Sequence, residues 1–168
     1  YTGKISEEQI LEIEKRVNDK IDNFDEVLIR EMPLEEAKKL GAMALFSEKY
    51  KDIVRVVKIG DSIELCGGTH AKNTMDIGRF AIVKLESKGS NLYRIEATTS
   101  EMIEELIGEV IKNYVEEIKK LLNKAKMILD SAKEEKIDLD FDLMLDQSGM
   151  SSYADIIYNK NQLAYVQN

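Results

Sequence analysis

Between residues 101 and 135 the apolar side chains fall into two rows. Ile107, Tyr114, Leu121 and Ile128 recur every seven residues, and Ile111, Ile118, Ala125 and Ala132 repeat the interval four positions later. Only an α-helix brings such positions onto one side, so the pattern predicts a long helix with a continuous apolar seam. Lys and Glu fill most of the other positions, as a solvated face requires. Gly108 is a local weakness in it, worth about 1 kcal/mol relative to Ala. Two coverings satisfy the seam. Either the helix docks on its own domain, or it pairs with a helix of another chain or of a segment outside these residues.

A helix of that kind confines the sheet to the first 100 residues. Ser6 followed by Gln9 is a capping box, in which hydroxyl and amide satisfy early helix donors. Ile10, Ile13, Val17 and Ile21 then repeat at helical spacing and predict an amphipathic helix. Residues 26–30 are a short β-like run ended by Met32-Pro33, and 34–40 make a short helix closed by Gly41. Ile53–Ile59 is β-branched and strand-like, and Gly60-Asp61 turns it into a second strand over 62–66. Residues 77–86 and 92–98 form two more strands, joined by Lys88-Gly89-Ser90-Asn91. Closely spaced strands pair antiparallel. The expected class is α+β, an antiparallel sheet with helices packed on one face, followed by a long C-terminal helix. Met43 and Phe46 are expected in the core.

Beyond the helix, 137–145 alternates apolar residues with Asp138, Asp140 and Asp142, as a strand with an acidic solvated face does. The loop glycine and closing Glu of an EF-hand are absent, which argues against calcium. Residues 148–168, rich in Ser, Asn, Gln and Tyr, read as a helix start or a frayed end.

At 168 residues the chain suits one domain, or one domain plus an appendage. No run approaches the roughly 18 apolar residues of a membrane helix, and no N-terminal signal pattern is present. The single Cys excludes an internal disulfide and fits a reducing cytosol, so a cytoplasmic protein is expected. The chain opens on Tyr1 rather than Met, which reads as an excised fragment. A net charge of −8 argues, taken whole, against a strong nucleic-acid binder. Its distribution is uneven: residues 51–98 carry 8 basic and 6 acidic side chains, while both flanks are acidic. A phosphate-bearing partner is therefore permitted there, although solvated loops produce the same bias.

The only cysteine and the only histidine sit inside that stretch, in Cys66-Gly67-Gly68-Thr69-His70. Two glycines let a chain turn tightly and expose its amides, so that Cys66 and His70 converge. A zinc site needs three or four protein ligands, and this chain has no second Cys or His. By spacing alone the pair is half of a metal site, or a packed Cys beside a solvated His. A Ser-His-Asp type of triad is excluded if the single His ligates metal.

The residues around the pair carry a resemblance. The run 41–50 (Gly-Ala-Met-Ala-Leu-Phe-Ser-Glu-Lys-Tyr), Val54-Arg55-Val56-Val57 and Glu64-Leu65-Cys66-Gly67-Gly68-Thr69-His70 resemble the editing domain of alanyl-tRNA synthetases. Asn73-Thr74, Ile77-Gly78, Phe80 and Arg94-Ile95-Glu96-Ala97 continue the similarity, which covers roughly residues 6–100. The related threonyl enzymes typically show Arg-Gly-Pro-His at the motif. Tyr93 stands where the family often has the first of two arginines, and the glycine-rich stretch at 88–91 is short. After residue 100 the chain matches only in kind, as the helical start of a C-terminal domain.

The resemblance implies the following. Residues 1–100 are the C-terminal part of an editing domain, 101–135 a heptad-patterned helix, and 136–168 a short α/β or frayed tail of the C-terminal domain. The domain binds the acceptor end of tRNA(Ala) and hydrolyses mischarged seryl or glycyl esters. Cys66 and His70 ligate a zinc ion whose other ligands, a His-x-x-x-His pair, precede Tyr1, leaving the fragment inactive alone. ATP is used only by a catalytic domain outside these residues. Gly67 and Gly68 orient substrate or an oxyanion through their amides, or serve only the turn. Thr69 hydrogen-bonds substrate or fixes its own turn. Lys72 and Arg94 contact phosphate or are simply solvated. Glu96 partners Arg94 or orients a ligand. No residue is assigned as catalytic with certainty. A homodimer through 101–135 follows if the seam pairs between chains. The alternatives are a free-standing trans-editing deacylase and a noncatalytic helical interaction module.

Overall fold

A computed structural model describes residues 3–44, 50–89, 92–138 and 148–167. The elements run α1 (Glu7–Ile21), β1 (Val27–Pro33), α2 (Leu34–Lys39), β2 (Ile53–Ile59), β3 (Ser62–Leu65), β4 (Phe80–Ser87), β5 (Tyr93–Thr99), α3 (Met102–Glu134) and α4 (Tyr153–Gln167). They pack as two compact units. One comprises Lys15–Arg79, and the other Tyr1–Glu14 with Phe80–Asn168.

In the first unit β1, β2 and β3 form an antiparallel sheet in that order. Its central strand β2 is buried on both faces at Val56 and Val57. Val54 and Val56 are buried on one face against Ala37 of α2, with Met32, Leu34 and Leu65 around them. Gly41 closes α2 with a left-handed φ of 79°. Gly60 turns β2 into β3 at φ 56°, where a Cβ would lie 2.6 Å from Asp25 Oδ2. Glycine is required there by conformation, and a Cβ would in addition have to displace the Asp25 carboxylate. Met43 is 52% exposed rather than core, because it bridges to Glu64 at the edge of β3. Phe46 lies outside the described residues.

In the second unit β4 and β5 pair only with each other among the described residues, so the chain has two antiparallel sheets rather than one. The strand expected from residue 77 begins at Phe80. Residues Thr74–Ile77 instead form a 3₁₀ turn, closed by Gly78 at φ 68°. Ala81 of β4 packs with Ile103, Ile107 and Ile111 of α3 and Ile156 of α4. The N-terminal half of the heptad seam is thus covered by the chain itself. Farther along α3, Met127 and Ile128 are 70% and 64% exposed. Gly108 has a packing reason, since a Cβ there would stand 3.3 Å from Met150 Sδ.

Of the two readings of residues 148–168, a helix start or a frayed end, the helix forms: it runs over Tyr153–Gln167, 15 residues, with Ile156, Asn159 and Leu163 buried. The expected strand at 137–145 falls largely outside the described residues. At the chain's start the capping box forms: Gln9 N donates to Ser6 Oγ (3.3 Å) and Ser6 N donates to Gln9 Oε1 (2.9 Å). In α1 Ile13 is exposed, and the buried positions are Ile10, Glu14, Asn18 and Ile21. Glu14 accepts hydrogen bonds from Ile82 N (2.7 Å) and from Tyr153 N (3.2 Å). No helix among the described residues is long and apolar enough to cross a membrane.

Candidate functional site

The Cys66 loop leaves the end of β3 and is tied down on both sides. Cys66 N donates to Arg55 O (3.2 Å), continuing the β2–β3 ladder by one residue. The Arg55 guanidinium then reaches over, its Nη1 donating to Cys66 O (2.6 Å) and Gly68 O (2.9 Å). A fixed planar donor suits two carbonyls that a turning chain would leave facing each other. At the far end Val27 N donates to Lys72 O (2.9 Å), and Asn73 Nδ2 donates to Phe24 O (2.9 Å). Thr74 Oγ1 donates to Ile21 O (3.1 Å) and accepts from Asp25 N (3.0 Å). Asn73 also caps the 3₁₀ turn, accepting from Met75 N (2.9 Å), while its own N donates to Asp76 Oδ2 (3.1 Å).

Between these anchors lie the residues that carry chemistry. Cys66 is a free thiol of intermediate exposure. Gly67, Gly68, Thr69 and Lys72 are exposed. His70 is half-buried, and its Nδ1 is fully buried with no hydrogen-bond partner. Buried polar atoms are nearly always paired, so an imidazole nitrogen without a partner marks a lone pair or a proton left for a ligand. The two side chains fit two positions of a zinc site by donor type and by that free nitrogen. Among the described residues no group of three or more His, Cys, Asp and Glu gathers to hold a metal.

Neither Gly67 nor Gly68 takes a left-handed φ, so conformational freedom is not what this turn uses. What they supply is space. A Cβ on Gly67 would meet nothing within 4 Å, and one on Gly68 would stand 3.7 Å from Cys66 Sγ. The sulfur is left open on that side.

Arg94 and Glu96 lie on β5, in the other unit. Arg94 stands opposite Glu86 and Glu96 opposite Lys84. No ion pair joins Arg94 to Glu96 among the described residues. Glu86 bridges Lys84 (2.9 Å) and Lys88 (2.8 Å). Hydrogen bonds from Lys88 and Lys84 pull its carboxyl down to about 2. Tyr93, the departure from a paired arginine, donates its hydroxyl to Gly3 O (3.1 Å).

Sequence reasoning missed the roles of Arg55 and Glu14. Each interrupts an apolar pattern with a charge on a buried element: Arg55 between Val54 and Val56, Glu14 in the stripe of Ile10 and Ile21. That interruption was the available signal.

The loop, its two flanking strands and the hairpin beyond it fall within one family. Residues 54–96 match the second additional domain of threonyl and alanyl tRNA synthetases. The chain is 49% identical over 122 residues to the alanine–tRNA ligase of Campylobacter jejuni, across 73% of this chain and 14% of that relative. It is 47% identical over 136 residues to the enzyme of Listeria monocytogenes, across 80% and 15%. To that of Listeria welshimeri it is 55% identical over 100 residues, across 59% and 11%. The chain belongs to the alanyl-tRNA synthetase family, and it spans 14–16% of the length of the first of the curated relatives it matches.

Proposed function

We propose that this chain is part of an alanine–tRNA ligase and supplies half of its zinc-dependent editing site, which hydrolyses seryl or glycyl esters of tRNA(Ala). The observation that carries the proposal is the partnerless buried Nδ1 of His70, four residues from a free cysteine in a loop clamped by Arg55. Residues 1–100 are the C-terminal part of the editing domain, and 101–135 open the C-terminal domain that continues through 136–168. Cys66 and His70 hold the metal together with donors from polypeptide outside these residues. A bound zinc supplies Lewis acidity, polarising the ester carbonyl or lowering the pKa of a water. Gly67 and Gly68 keep the approach to Cys66 open. Thr69 and Lys72, exposed on the same loop, contact the tRNA acceptor end, and Arg94 contacts phosphate. Glu96, two residues along β5 from Arg94, orients a bound ligand.

In the full-length protein, Cys66→Ala is expected to abolish hydrolysis of Ser-tRNA(Ala) and to leave alanylation largely intact. Unchanged deacylation removes the assigned role. A free-standing deacylase would use the same loop; alanine-dependent ATP–pyrophosphate exchange, the work of a catalytic domain, separates the two. Exposed Met127 and Ile128 on α3 favour helix pairing as an additional role, as in a homodimer. Concentration-dependent dimerisation measured by ultracentrifugation tests it.

A further inference from the structure

Arg55 holds two carbonyls of the Cys66 loop, and this decides which amides the loop presents. Its Nη1 donates to Cys66 O (2.6 Å) and Gly68 O (2.9 Å), while its own O accepts from Cys66 N (3.2 Å). A planar trans peptide carries its N–H opposite its C=O. With Cys66 O and Gly68 O drawn toward the guanidinium, Gly67 N–H and Thr69 N–H point away from it. Neither amide donates to an acceptor among the described residues, and both residues are exposed. No side chain at Gly67 or Gly68 covers them, and the space where a Gly67 Cβ would stand is open to 4 Å. Charge is available as well. Glu31 stands directly opposite Arg55 on β1, yet no ion pair joins the two among the described residues. The guanidinium therefore keeps its positive charge behind two outward N–H donors. Oriented amides backed by a fixed cation favour an oxygen anion.

We propose that Arg55 is a positioning residue for ester hydrolysis, holding the Gly67 and Thr69 amides as the pair of donors that stabilises the substrate's oxyanion. This rests on the reading of the loop as part of an editing site. The presented pair is Gly67 and Thr69 rather than Gly67 and Gly68, because the carbonyls that Arg55 takes are those of Cys66 and Gly68. In the reaction a water oxygen adds to the ester carbon, and the carbonyl electron pair moves onto its oxygen, where the two amides meet it. When the carbonyl re-forms, the bond to the ribose oxygen breaks. That oxygen takes the proton the water gave up, and free serine and tRNA(Ala) leave. Arg55 touches no reacting atom and acts only through the loop.

The experiment uses the full-length protein and two analogues of the seryl ester of adenosine. One is a phosphonate, tetrahedral and anionic like the transition state; the other is an amide, planar and neutral like the substrate. Lysine keeps the charge of Arg55 but not its fork. Arg55→Lys is expected to lower kcat for Ser-tRNA(Ala) hydrolysis, per bound zinc, by about tenfold or more, with KM within about threefold of wild type. It should weaken binding of the phosphonate by about tenfold or more and of the amide by less than about threefold. Millimolar methylguanidinium should restore part of the phosphonate affinity to Arg55→Ala. Gly60→Ala, in the turn at the far end of the same two strands, controls for lost stability and should leave both affinities within about threefold of wild type. Equal weakening of both analogues by Arg55→Lys, or hydrolysis within about twofold of wild type, overturns the proposal while the site stands. Unchanged hydrolysis by Cys66→Ala overturns the reading of the site, and the proposal with it. Should Arg55→Ala fail to fold, Arg55→Lys alone decides.

Discussion

Arg55 Nη1 lies 2.6 Å from Cys66 O and donates to Gly68 O two residues later, so one guanidinium sets the path of the candidate ligand loop. Lysine cannot reproduce a planar fork, although it keeps the charge. Arg55→Lys is expected to cost about 1–2 kcal/mol, from two charge-assisted bonds at a partly exposed site. Urea denaturation measures this. An unchanged midpoint would mean that the loop holds its shape without the clamp.

The glycines divide into two kinds. Gly60→Ala is expected to destabilise by about 1–2 kcal/mol, since its φ of 56° is costly for an L side chain and the new Cβ must displace the Asp25 carboxylate. Gly68→Ala is expected to stay within about 0.5 kcal/mol of wild type. Its new methyl, 3.7 Å from Cys66 Sγ, should nevertheless slow alkylation of the thiol. Thermal melts and thiol kinetics on the two variants check both halves.

Glu14 accepts from Ile82 N at the irregular step of β4 and from Tyr153 N at the start of α4. A carboxylate at a helix N-terminus also meets the positive end of the helix dipole. Glu14→Ala strands two backbone donors and is expected to cost about 2–4 kcal/mol. Glu14→Gln, which retains one acceptor oxygen, should cost less. Hydrogen exchange should show the loss concentrated in α4.

Glu86 gives the hairpin a pH dependence. Its folded carboxyl is pulled down to about 2 by Lys88 and Lys84, below the ordinary value of 4.5. The group therefore contributes stability that is present above about 4.5 and is lost as pH falls toward about 2. Wild type and Glu86→Gln should converge in melting temperature across that acid window. The difference above it should be small and should shrink with salt, because the pairs are solvent-accessible.

Much of the backbone was legible. Ile53–Ile59 was read with its observed bounds, and α3 falls within one residue of its expected ends. Gly41 and Gly60 do stand at left-handed turns. The motif was legible as an unfinished ligand set from residue counts. Less visible was α4, whose weak amphipathic pattern is stabilised by docking on Ile103, Ile107 and Ile111. The start of β4 was misread at Ile77 because Asn73 and Asp76 cap a 3₁₀ turn there.

Sequence alone determined the local elements, since capping, β-branching, helical period and turn glycines act between residues close along the chain. It also determined that one Cys and one His cannot complete a metal site. Only the tertiary structure decided that the five strands among the described residues make two sheets, that α4 takes the first part of the seam, and that Arg55 meets Cys66. Only it left His70 Nδ1 buried and unpaired. The physical reason is separation. Arg55 and Cys66 are eleven residues apart, Glu14 and Tyr153 one hundred and thirty-nine, and such contacts depend on how finished elements pack.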